Sequence, residues 1–198
     1  MRPIIVGIAG GSASGKSTFA AALANALAAG DPPLRAETLA MDGYAVQDKS
    51  RGPCFVFSPT GETLFDWNHP EAFDDARLVA DVEARVRAQD APDVLLVEGL
   101  MPLYLPSIRD RLDLRLFVEL DADERALRRL LRDMAGGRAS RDPRFIADYY
   151  RESARVGHAR YVEPSRVHAD LILRGDSDFR RTAPLVAAIV RAKRHDVE

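Results

Sequence analysis

The chain has 198 residues, of which 46% are hydrophobic and 29% charged, a composition typical of a globular protein of one domain with an ample core. Its 28 basic and 30 acidic residues give a net charge of −2, which argues against a general nucleic-acid or acidic-membrane binder. The single cysteine excludes an internal disulfide, and no stretch approaches the roughly 20 apolar residues of a membrane span. The sequence therefore predicts a cytoplasmic protein with no membrane partner and no nucleic-acid partner.

The first part of the chain alternates between strand and helix signals. Residues 4–9 are a continuous apolar run, which predicts a strand buried on both faces. The alanine-rich stretch 19–30 predicts a helix, and residues 37–41 predict a second strand. Residues 43–69 hold several glycines and prolines and are predicted to be irregular. A helix is predicted to start near Pro70, because proline is favoured at the first helical position.

The rest of the chain continues this alternation. Strands are predicted at 93–99, 114–120 and 169–173, and helices at 121–134, 145–162 and 180–194, the last broken near Pro184. Strands separated by helices imply an α/β fold, with a parallel sheet of about five strands flanked by helices. In such sheets ligands bind beyond the carboxyl ends of the strands.

A glycine-rich segment, GGSASGKST, directly follows the first predicted strand. Gly10, Gly15, Lys16 and Ser17 satisfy the phosphate-binding pattern G-x-x-x-x-G-K-[ST], known as the P-loop. Its backbone N–H groups and the following helix terminus would bind phosphate, Lys16 would reach the β- and γ-phosphates, and the Ser17 hydroxyl would hold Mg²⁺. The predicted ATP-binding residues here are Gly10, Gly11, Ser12, Ala13, Ser14, Gly15, Lys16, Ser17 and Thr18. A glycine-rich turn without function is the alternative, which the strand before it and the helix after it disfavour.

Other motifs narrow the class of nucleotide-binding protein. The asparagines, Asn25 and Asn68, do not precede a lysine, so the Asn-Lys-x-Asp guanine reader of GTPases is missing. No transporter signature of the LSGGQ type is present either. A small-molecule kinase is therefore favoured, which needs a base at the acceptor hydroxyl, an acid near the metal and cations over the transferring phosphoryl group. A non-catalytic nucleotide sensor stays open as a hypothesis from another class.

Two acidic residues sit where strands are predicted to end. Asp42 follows the second strand and is the candidate catalytic base; the alternative is a turn aspartate before Gly43. Glu98 ends the apolar run DVLLVEG and is the candidate acid near Mg²⁺; the alternative is a strand-end glutamate that faces solvent. Because a sensor needs no catalytic base, Asp42 counts against that hypothesis.

A dense run of arginines leads into a glycine-rich loop. It consists of Arg125, Arg128, Arg129, Arg132 and Arg138. We predict a short arginine-bearing lid at about residues 132–144 that excludes water from the γ-phosphate. The alternative for any single arginine is a solvated helix face paired with neighbouring acids.

Taken together, these motifs resemble a known family. The segments GIAGGSASGKST, MDGY, WNHPEAFD, LLVEGL, LDLRLFVELDADERALRRLLRDM and YVEPSRVHADLIL occur in the order seen in the uridine kinase and phosphoribulokinase family, and are most similar to uridine–cytidine kinases. The resemblance covers most of the chain. It implies a P-loop NTPase fold with residues 1–198 as a single kinase domain that uses ATP and Mg²⁺. The implied partner is a small-molecule, nucleoside-like substrate with a primary hydroxyl, and a homo-oligomer stays open.

The same resemblance assigns roles to individual residues. It implies that Asp42 is the base, that Tyr44 shortly after it contacts the substrate, and that Trp67 stacks on the nucleoside base. For Trp67 the alternative is a packing residue under the loop. Among the arginines, it implies phosphate or substrate contacts for Arg129 and Arg132, and an ATP contact for Arg138 in the lid.

The chain departs from the family pattern on the acceptor side. Asn68 stands where the family has an aspartate that binds the ribose hydroxyls, and Asp66 is the candidate substitute. The hairpin that reads the pyrimidine is missing, because only a short helical stretch joins Asp74 to Asp93. Nicotinamide riboside kinases lack that hairpin too, so nicotinamide riboside or another sugar or polyol is the alternative acceptor. We expect recognition of the ribose or polyol more than of the base, with poor discrimination between nucleosides.

Overall fold

The structure is a computed structural model that describes residues 2–137 and 140–195. Within these ranges the strands are β1 (Ile4–Gly10), β2 (Ala36–Ala40), β3 (Cys54–Phe57), β4 (Glu62–Phe65), β5 (Val94–Gly99), β6 (Leu114–Glu119) and β7 (Leu171–Arg174). The α-helices are α1 (Lys16–Ala28), α2 (Asp75–Arg87), α3 (Pro106–Arg109), α4 (Ala122–Arg132), α5 (Pro143–Tyr149), α6 (Arg155–Gly157), α7 (Glu163–Ser165) and α8 (Phe179–His195). Over the same part of the chain, no helix is long and apolar enough to cross a membrane.

Five of these strands form the parallel sheet that the sequence predicts, in the order β2-β5-β1-β6-β7. The apolar run of β1 is buried along its whole length, because this strand lies at the centre of the sheet. In the register of the pairs, Glu98 of β5 lies opposite both Ile8 of β1 and Ala40 of β2. The carboxyl ends of β1, β2 and β5 therefore meet at one edge of the sheet.

Helices cover both faces of the sheet, and alternate residues of β1 divide between two hydrophobic cores. Ile4, Val6 and Ile8 pack with α1 and α8, whereas Ile5 and Ala9 pack on the other face with α2 and α3. This is the layered arrangement in which a parallel sheet is buried on both sides. The prediction of an α/β fold with a sheet of about five strands is confirmed.

A hairpin lies in the segment predicted to be irregular. β3 and β4 pair antiparallel, with Cys54 opposite Phe65 and Phe57 opposite Glu62. Gly61 has a positive φ of 73°, and its N–H donates to the carbonyl of Phe57 at 2.8 Å. The prediction of an irregular segment at 43–69 was wrong for residues 54–65, because Pro59 and Gly61 lie in the turn between two strands and do not disrupt them.

Two helix boundaries also differ from the prediction. Pro70–Ala72 forms a single 3₁₀ turn, and α2 begins later, where the Asp74 carboxylate accepts a hydrogen bond from the N–H of Arg77 at 2.9 Å. This is an N-cap interaction, which fixes the start of a helix. The predicted break near Pro184 is absent, since α8 continues through it. Pro184 is the sixth residue of α8, beyond the first turn, so it removes one intrahelical hydrogen bond. The buried side chains of Ala183, Val186 and Ala187 beside it pack α8 against the core.

The predicted lid segment lies between α4 and α5. Asp133–Gly137 forms a wide turn that ends with Gly136 in the left-handed region, at φ 96°. Arg138 lies outside the residues that the structure describes. After α5 the chain stays helical as far as His168, through π-type turns at Tyr150–Ala154 and His158–Val162 that alternate with α6 and α7.

Candidate active site

The P-loop motif forms a tight turn between β1 and α1. Gly10 and Gly15 have positive φ values of 154° and 99°, and Ala13, at 64°, shares the left-handed region. A Cβ on Gly10 would lie 2.5 Å from the carbonyl oxygen of Val118, so a larger residue does not fit there. The N–H of Ser14 donates to the carbonyl of Gly11 at 3.1 Å. The loop thus has the curled backbone that gathers N–H groups around an anion.

The turn after β7 supports this loop from behind. Gly175 is buried, and its N–H donates to the carbonyl of Glu119 at 2.7 Å. A Cβ on Gly175 would overlap the carbonyl oxygen of Ser14. The backbones of the P-loop and the β7 turn are therefore in direct contact, with no room for a side chain between them.

Ser17 and Glu98 form a pair of oxygen donors beside the P-loop. The Ser17 hydroxyl donates to Glu98 Oε1 at 3.0 Å, and Glu98 is only 8% exposed. Within the described residues, Oε2 of Glu98 is buried without a hydrogen-bond partner. A hydroxyl and a carboxylate suit Mg²⁺, which prefers oxygen ligands and keeps several waters or phosphate oxygens. Among all the residues that the structure describes, there is no group of three or more His, Cys, Asp or Glu side chains that could hold a metal ion.

Asp42 lies at the same edge, where β2 ends. The chain turns there into a short 3₁₀ segment, Met41–Tyr44, whose two end residues are buried while Asp42 is exposed. Tyr44 does not line the cavity described below: its hydroxyl donates to Asp81 at 2.9 Å, and Arg77 lies over its ring. Burial, together with this hydrogen bond, raises the pKa of Tyr44 to about 12. The structure thus separates Asp42 from the tyrosine that was predicted to accompany it in the substrate site.

A cavity of about 500 Å³ brings half of the predicted site residues together. The predicted residues on its wall are Ser12, Lys16, Ser17, Asp42, Trp67, Asn68, Glu98, Arg129 and Arg132. Predicted phosphate-binding residues, both candidate acids and two arginines of α4 therefore line one cavity. Tyr44 and Asp66 are not among its lining residues.

The arginines of α4 divide into two groups. Arg129 and Arg132 line the cavity and both approach Asp133, at 3.5 Å and 2.8 Å. The Asp133 side chain is only 4% exposed; it accepts a hydrogen bond from Arg132 Nε and forms a longer ion pair with Arg129. Arg128 instead pairs with Glu124 at 2.8 Å, and Arg125 is buried with its Nε donating to the carbonyl of Leu120. Only part of the run therefore reaches the cavity within the described residues.

Asp66, Asn68 and Ser153 form a small hydrogen-bonded network. The Ser153 hydroxyl donates to Asp66 at 2.6 Å, and the Asn68 side-chain amide donates to Ser153 at 2.7 Å. The backbone N–H of Asn68 also donates to Asp66, at 3.0 Å. Asp66 thus supports the loop from behind, and Asn68 is the one of the two that lines the cavity.

The cavity also has an apolar wall that sequence reasoning missed. Its residues are Leu64, Phe65, Phe73, Leu100, Phe145, Ile146 and Tyr149. Leu64 and Phe65 belong to the unpredicted hairpin, whose signal is the pair of apolar runs around Pro59 and Gly61. The residues of α5 lie far away in sequence and reach the cavity through tertiary packing alone.

His158 lies against the other side of the P-loop. A Cβ on Gly11 would lie 2.9 Å from His158 Nδ1 and 2.7 Å from a guanidinium nitrogen of Arg125. Burial, and next the charge of Arg125, lower the pKa of His158 from its ordinary 6.5 to about 4. Glu163 lies 3.3 Å from Nε2, but its side chain is half exposed and its attraction is outweighed. The imidazole is therefore neutral at physiological pH.

Known proteins are similar to this chain over nearly its whole length. A family model described as the phosphoribulokinase / uridine kinase family matches residues 60–178. A uridine kinase of Chloroflexus aggregans is 33% identical, over 96% of this chain and 95% of that protein. The chain belongs to the phosphoribulokinase / uridine kinase family. It is thus a kinase, a phosphotransferase that acts on a hydroxyl group, and the predicted family is confirmed.

Further relatives extend the comparison for this family kinase. A uridine kinase of Alkaliphilus metalliredigens is 30% identical, over 96% of both chains. A solved structure from Silicibacter sp. TM1040, assigned as a fructose transport system kinase, has a TM-score of 0.62 and 25% identity, over 86% of this chain and 89% of that one. A possible uridine kinase from Bacillus stearothermophilus has a TM-score of 0.58, at 14% identity, over 87% and 89%. These structures confirm the P-loop kinase fold.

Proposed function

We propose that this kinase transfers the γ-phosphoryl group of ATP, with Mg²⁺, to a primary hydroxyl of a nucleoside-like small molecule. We further propose that residues 1–198 act as one kinase domain with a lid at about 132–144. The observation that carries the proposal is the shared cavity, which is lined by Lys16, Asp42, Glu98, Arg129 and Arg132. A general base, phosphate-binding cations and metal ligands around one opening are the requirements of phosphoryl transfer.

On the nucleotide side, the loop 10–18 would bind the phosphates through its backbone N–H groups, and Lys16 would contact the β- and γ-phosphates. Ser17 and Glu98 would hold Mg²⁺, which when bound neutralises charge on the phosphate oxygens. The proximity of the Ser17 hydroxyl to the buried Glu98 carboxylate supports this assignment. An ATP contact by Arg138 stays a prediction.

On the acceptor side, Asp42 would accept the proton of the acceptor's hydroxyl group while the hydroxyl oxygen forms a bond to the γ-phosphorus. The bond between that phosphorus and the bridging oxygen of the ADP leaving group breaks in the same step. Arg129 and Arg132 would stabilise the charge on the transferring group, and Asp133 holds both in place.

The nucleoside-like acceptor is supported by the curated relatives, which are uridine kinases. Trp67 would contact its base, and Asn68 its sugar hydroxyls, whereas Asp66 would orient Asn68. A second candidate, a kinase of nicotinamide riboside or of another sugar or polyol, has its own support. α2 leads to β5 without the pyrimidine-reading hairpin, and a structural relative is assigned as a fructose transport system kinase.

Acceptor-dependent release of ADP tests the proposal. With ATP and Mg²⁺, we expect ADP release in the presence of uridine, cytidine or nicotinamide riboside. Lys16→Ala should abolish this turnover, because it removes the cation on the β- and γ-phosphates, and Lys193→Ala is the matched control that should retain it. Turnover with simple sugars alone would favour the second candidate. Binding of ATP without turnover on any acceptor would indicate a nucleotide sensor.

A further inference from the structure

Asp42, the proposed base, lies in a short turn that depends on its surroundings for its shape. The segment Met41–Tyr44 is one 3₁₀ turn, with extended backbone at Ala40 before it and at Ala45 after it. Such turns have poorer hydrogen-bond geometry than an α-helix, so the residues packed against them determine where they lie. Because a displacement of about 1 Å is enough to slow an enzyme reaction severely, the packing around this turn bears on the chemistry.

The sheet holds the start of the turn. Met41 is fully buried, and a Cβ on Gly99 would lie only 2.6 Å from the Cβ of Met41. Met41 thus packs directly on the backbone at the end of β5, next to Glu98, where only a glycine fits. The residue before Asp42 is therefore held by the edge of the sheet that carries the candidate metal ligand.

Helix α2 holds the end of the turn. The N–H of Asp74, the N-cap residue of α2, donates to the carbonyl of Tyr44 at 2.7 Å. The Tyr44 hydroxyl donates to Asp81, further along the same helix, at 2.9 Å. Tyr44 is thus attached to α2 both through its backbone and through its side chain.

Arg77 connects α2 to the turn at a third point. Its Nη2 donates to the carbonyl of Gly43 at 2.5 Å, and its guanidinium carbon lies 5.0 Å from the centre of the Tyr44 ring. Side chains on a helix lean toward its N-terminus, which directs Arg77 back over the first turn of α2. A planar guanidinium can cover a ring and donate to a carbonyl at the same time, whereas a lysine ammonium supplies only the donor.

Arg77 is close to the turn but does not line the cavity. Asp42 is one of the described residues on the cavity wall, and Arg77 and Gly43 are not. Within the described residues, Nε of Arg77 is buried without a hydrogen-bond partner, so this part of the guanidinium packs against the protein. An effect of Arg77 on the reaction would therefore have to pass through the turn.

We infer that Arg77 is a positioning residue for Asp42: by binding the Gly43 carbonyl and covering the Tyr44 ring, it holds the turn so that the base faces the acceptor hydroxyl. The inference rests on the proposed function, in which Asp42 is the base. None of the contacts of Arg77 with the turn involves the P-loop. Loss of Arg77 should therefore affect the chemical step and leave the binding of ATP almost unchanged.

The kinetics of Arg77→Ala test this role. We expect kcat to fall by roughly tenfold and the KM for ATP to stay within about twofold of wild type, because the base is displaced while the nucleotide site is kept. Arg77→Lys should recover part of kcat, since its ammonium can still donate to the Gly43 carbonyl. Arg87→Ala is the matched control on the same helix: the Arg87 side chain is 72% exposed, and this variant should retain wild-type kinetics.

A double-mutant cycle with Asp42→Asn separates positioning of the base from a general loosening of the protein. Once the base is removed, Arg77→Ala should lower kcat by less than about twofold, because residues that act through one another are not additive. A similar loss in both backgrounds would overturn the inference, since the effect would not pass through Asp42. Unchanged kcat in Arg77→Ala, or a rise in the KM for ATP alone, would overturn it too.

Hydrogen exchange of the turn gives a readout that does not depend on turnover. Mass spectrometry should show faster amide exchange in residues 41–46 of Arg77→Ala than in wild type or Arg87→Ala. Unchanged exchange would overturn the inference while the proposed function stands. Faster exchange, together with no ADP release by the wild-type protein on any acceptor, would overturn the proposed function and leave only the anchoring of the turn. Thermal unfolding identifies a folding defect, and Arg77→Gln repeats both measurements where the alanine variant is unstable.

Discussion

Asp42 is positioned by its neighbours in sequence. Met41 and Tyr44 are buried on either side of it, and the Tyr44 hydroxyl is anchored to Asp81. This anchoring leaves Asp42 exposed at the cavity, beside Lys16 and Ser17. The Tyr44 hydroxyl is thus engaged with Asp81, and the substrate contact predicted for Tyr44 stays a prediction.

If Asp42 is the base, Asp42→Asn should lower kcat by about 10²-fold or more and leave the KM for ATP almost unchanged. The amide keeps the shape of the carboxylate but cannot accept the proton. Steady-state kinetics in both substrates make the measurement, with the exposed Asp90→Asn as the control. Equal losses in ATP affinity and kcat would make Asp42 a metal-binding or structural residue instead.

His158 should make the protein less stable as the pH falls. Its pKa is about 4 in the folded state and 6.5 ordinarily, so between these values the unfolded chain binds a proton that the folded chain does not. The free energy of unfolding should therefore decrease as the pH is lowered from about 6.5 to 4. His158→Gln should flatten this dependence in urea titrations at several pH values. The exposed His168→Gln should keep the wild-type slope; a parallel change in both variants would contradict the assignment.

The grouping of Lys16, Ser17, Asp42 and Glu98 around one cavity could be predicted from the sequence because local rules place these residues. The P-loop follows the buried strand β1, Asp42 follows β2 and Glu98 lies near the end of the buried strand β5, and parallel strands bring their carboxyl ends together. The roles of Asp66 and Asn68 could not be separated in the same way. Which of the two faces the cavity depends on Ser153, a residue distant in sequence.

At the level of elements, the last turn of α4 is linked to the residue that follows it. Arg129 and Arg132 both form ion pairs with Asp133, whose carboxylate is buried. Asp133 is not among the site residues predicted from the sequence. Its partners are close in sequence, but its burial comes from the tertiary fold.

Replacement of this carboxylate should release both arginines. We expect Asp133→Asn to lower kcat by roughly 10-fold or more, since a donor held out of position no longer stabilises the transferring group. Asp133→Glu should restore part of the loss, and the exposed pair Asp148–Arg151 supplies the control Asp148→Asn. Measurement of kcat and KM alongside thermal unfolding distinguishes the cases: a lower melting temperature with unchanged kcat would make Asp133 a stability residue only.

The hairpin could have been predicted from the sequence, whereas its packing against α5 could not. Residues 54–57 are apolar and residues 62–65 end in Leu64 and Phe65, on either side of a turn that contains Pro59 and Gly61, which is a recognised hairpin signal. Nothing local to these residues indicates that Phe55 packs against Tyr149 and Phe57 against Phe145. That contact depends on the tertiary packing of α5 against the hairpin, which pattern rules do not determine.

At the scale of the whole molecule, the contact of Gly175 with Ser14 joins the turn after β7 to the P-loop after β1. Gly175→Ala should force the backbones of Ser14 and Gly175 apart, and should lower the free energy of unfolding by about 1–3 kcal/mol. The KM for ATP should rise as well, because the loop that binds phosphate is displaced. Urea unfolding and ATP kinetics test this, with Gly43→Ala as a stability control at a position where the described residues leave open space around a Cβ. Unchanged stability and KM would contradict a rigid contact.

The strand order has a consequence for how the protein is made. β1 is synthesised first, yet its partners in the sheet are β5 and β6, which begin at Val94 and Leu114. A nascent chain shorter than about half of the protein therefore has a hydrophobic strand with neither neighbour available. Such long-range parallel pairing forms slowly and leaves apolar surface exposed in the meantime. We expect the emerging chain to depend on the ribosome exit region and on chaperones until β6 has been released, and to acquire its P-loop only then.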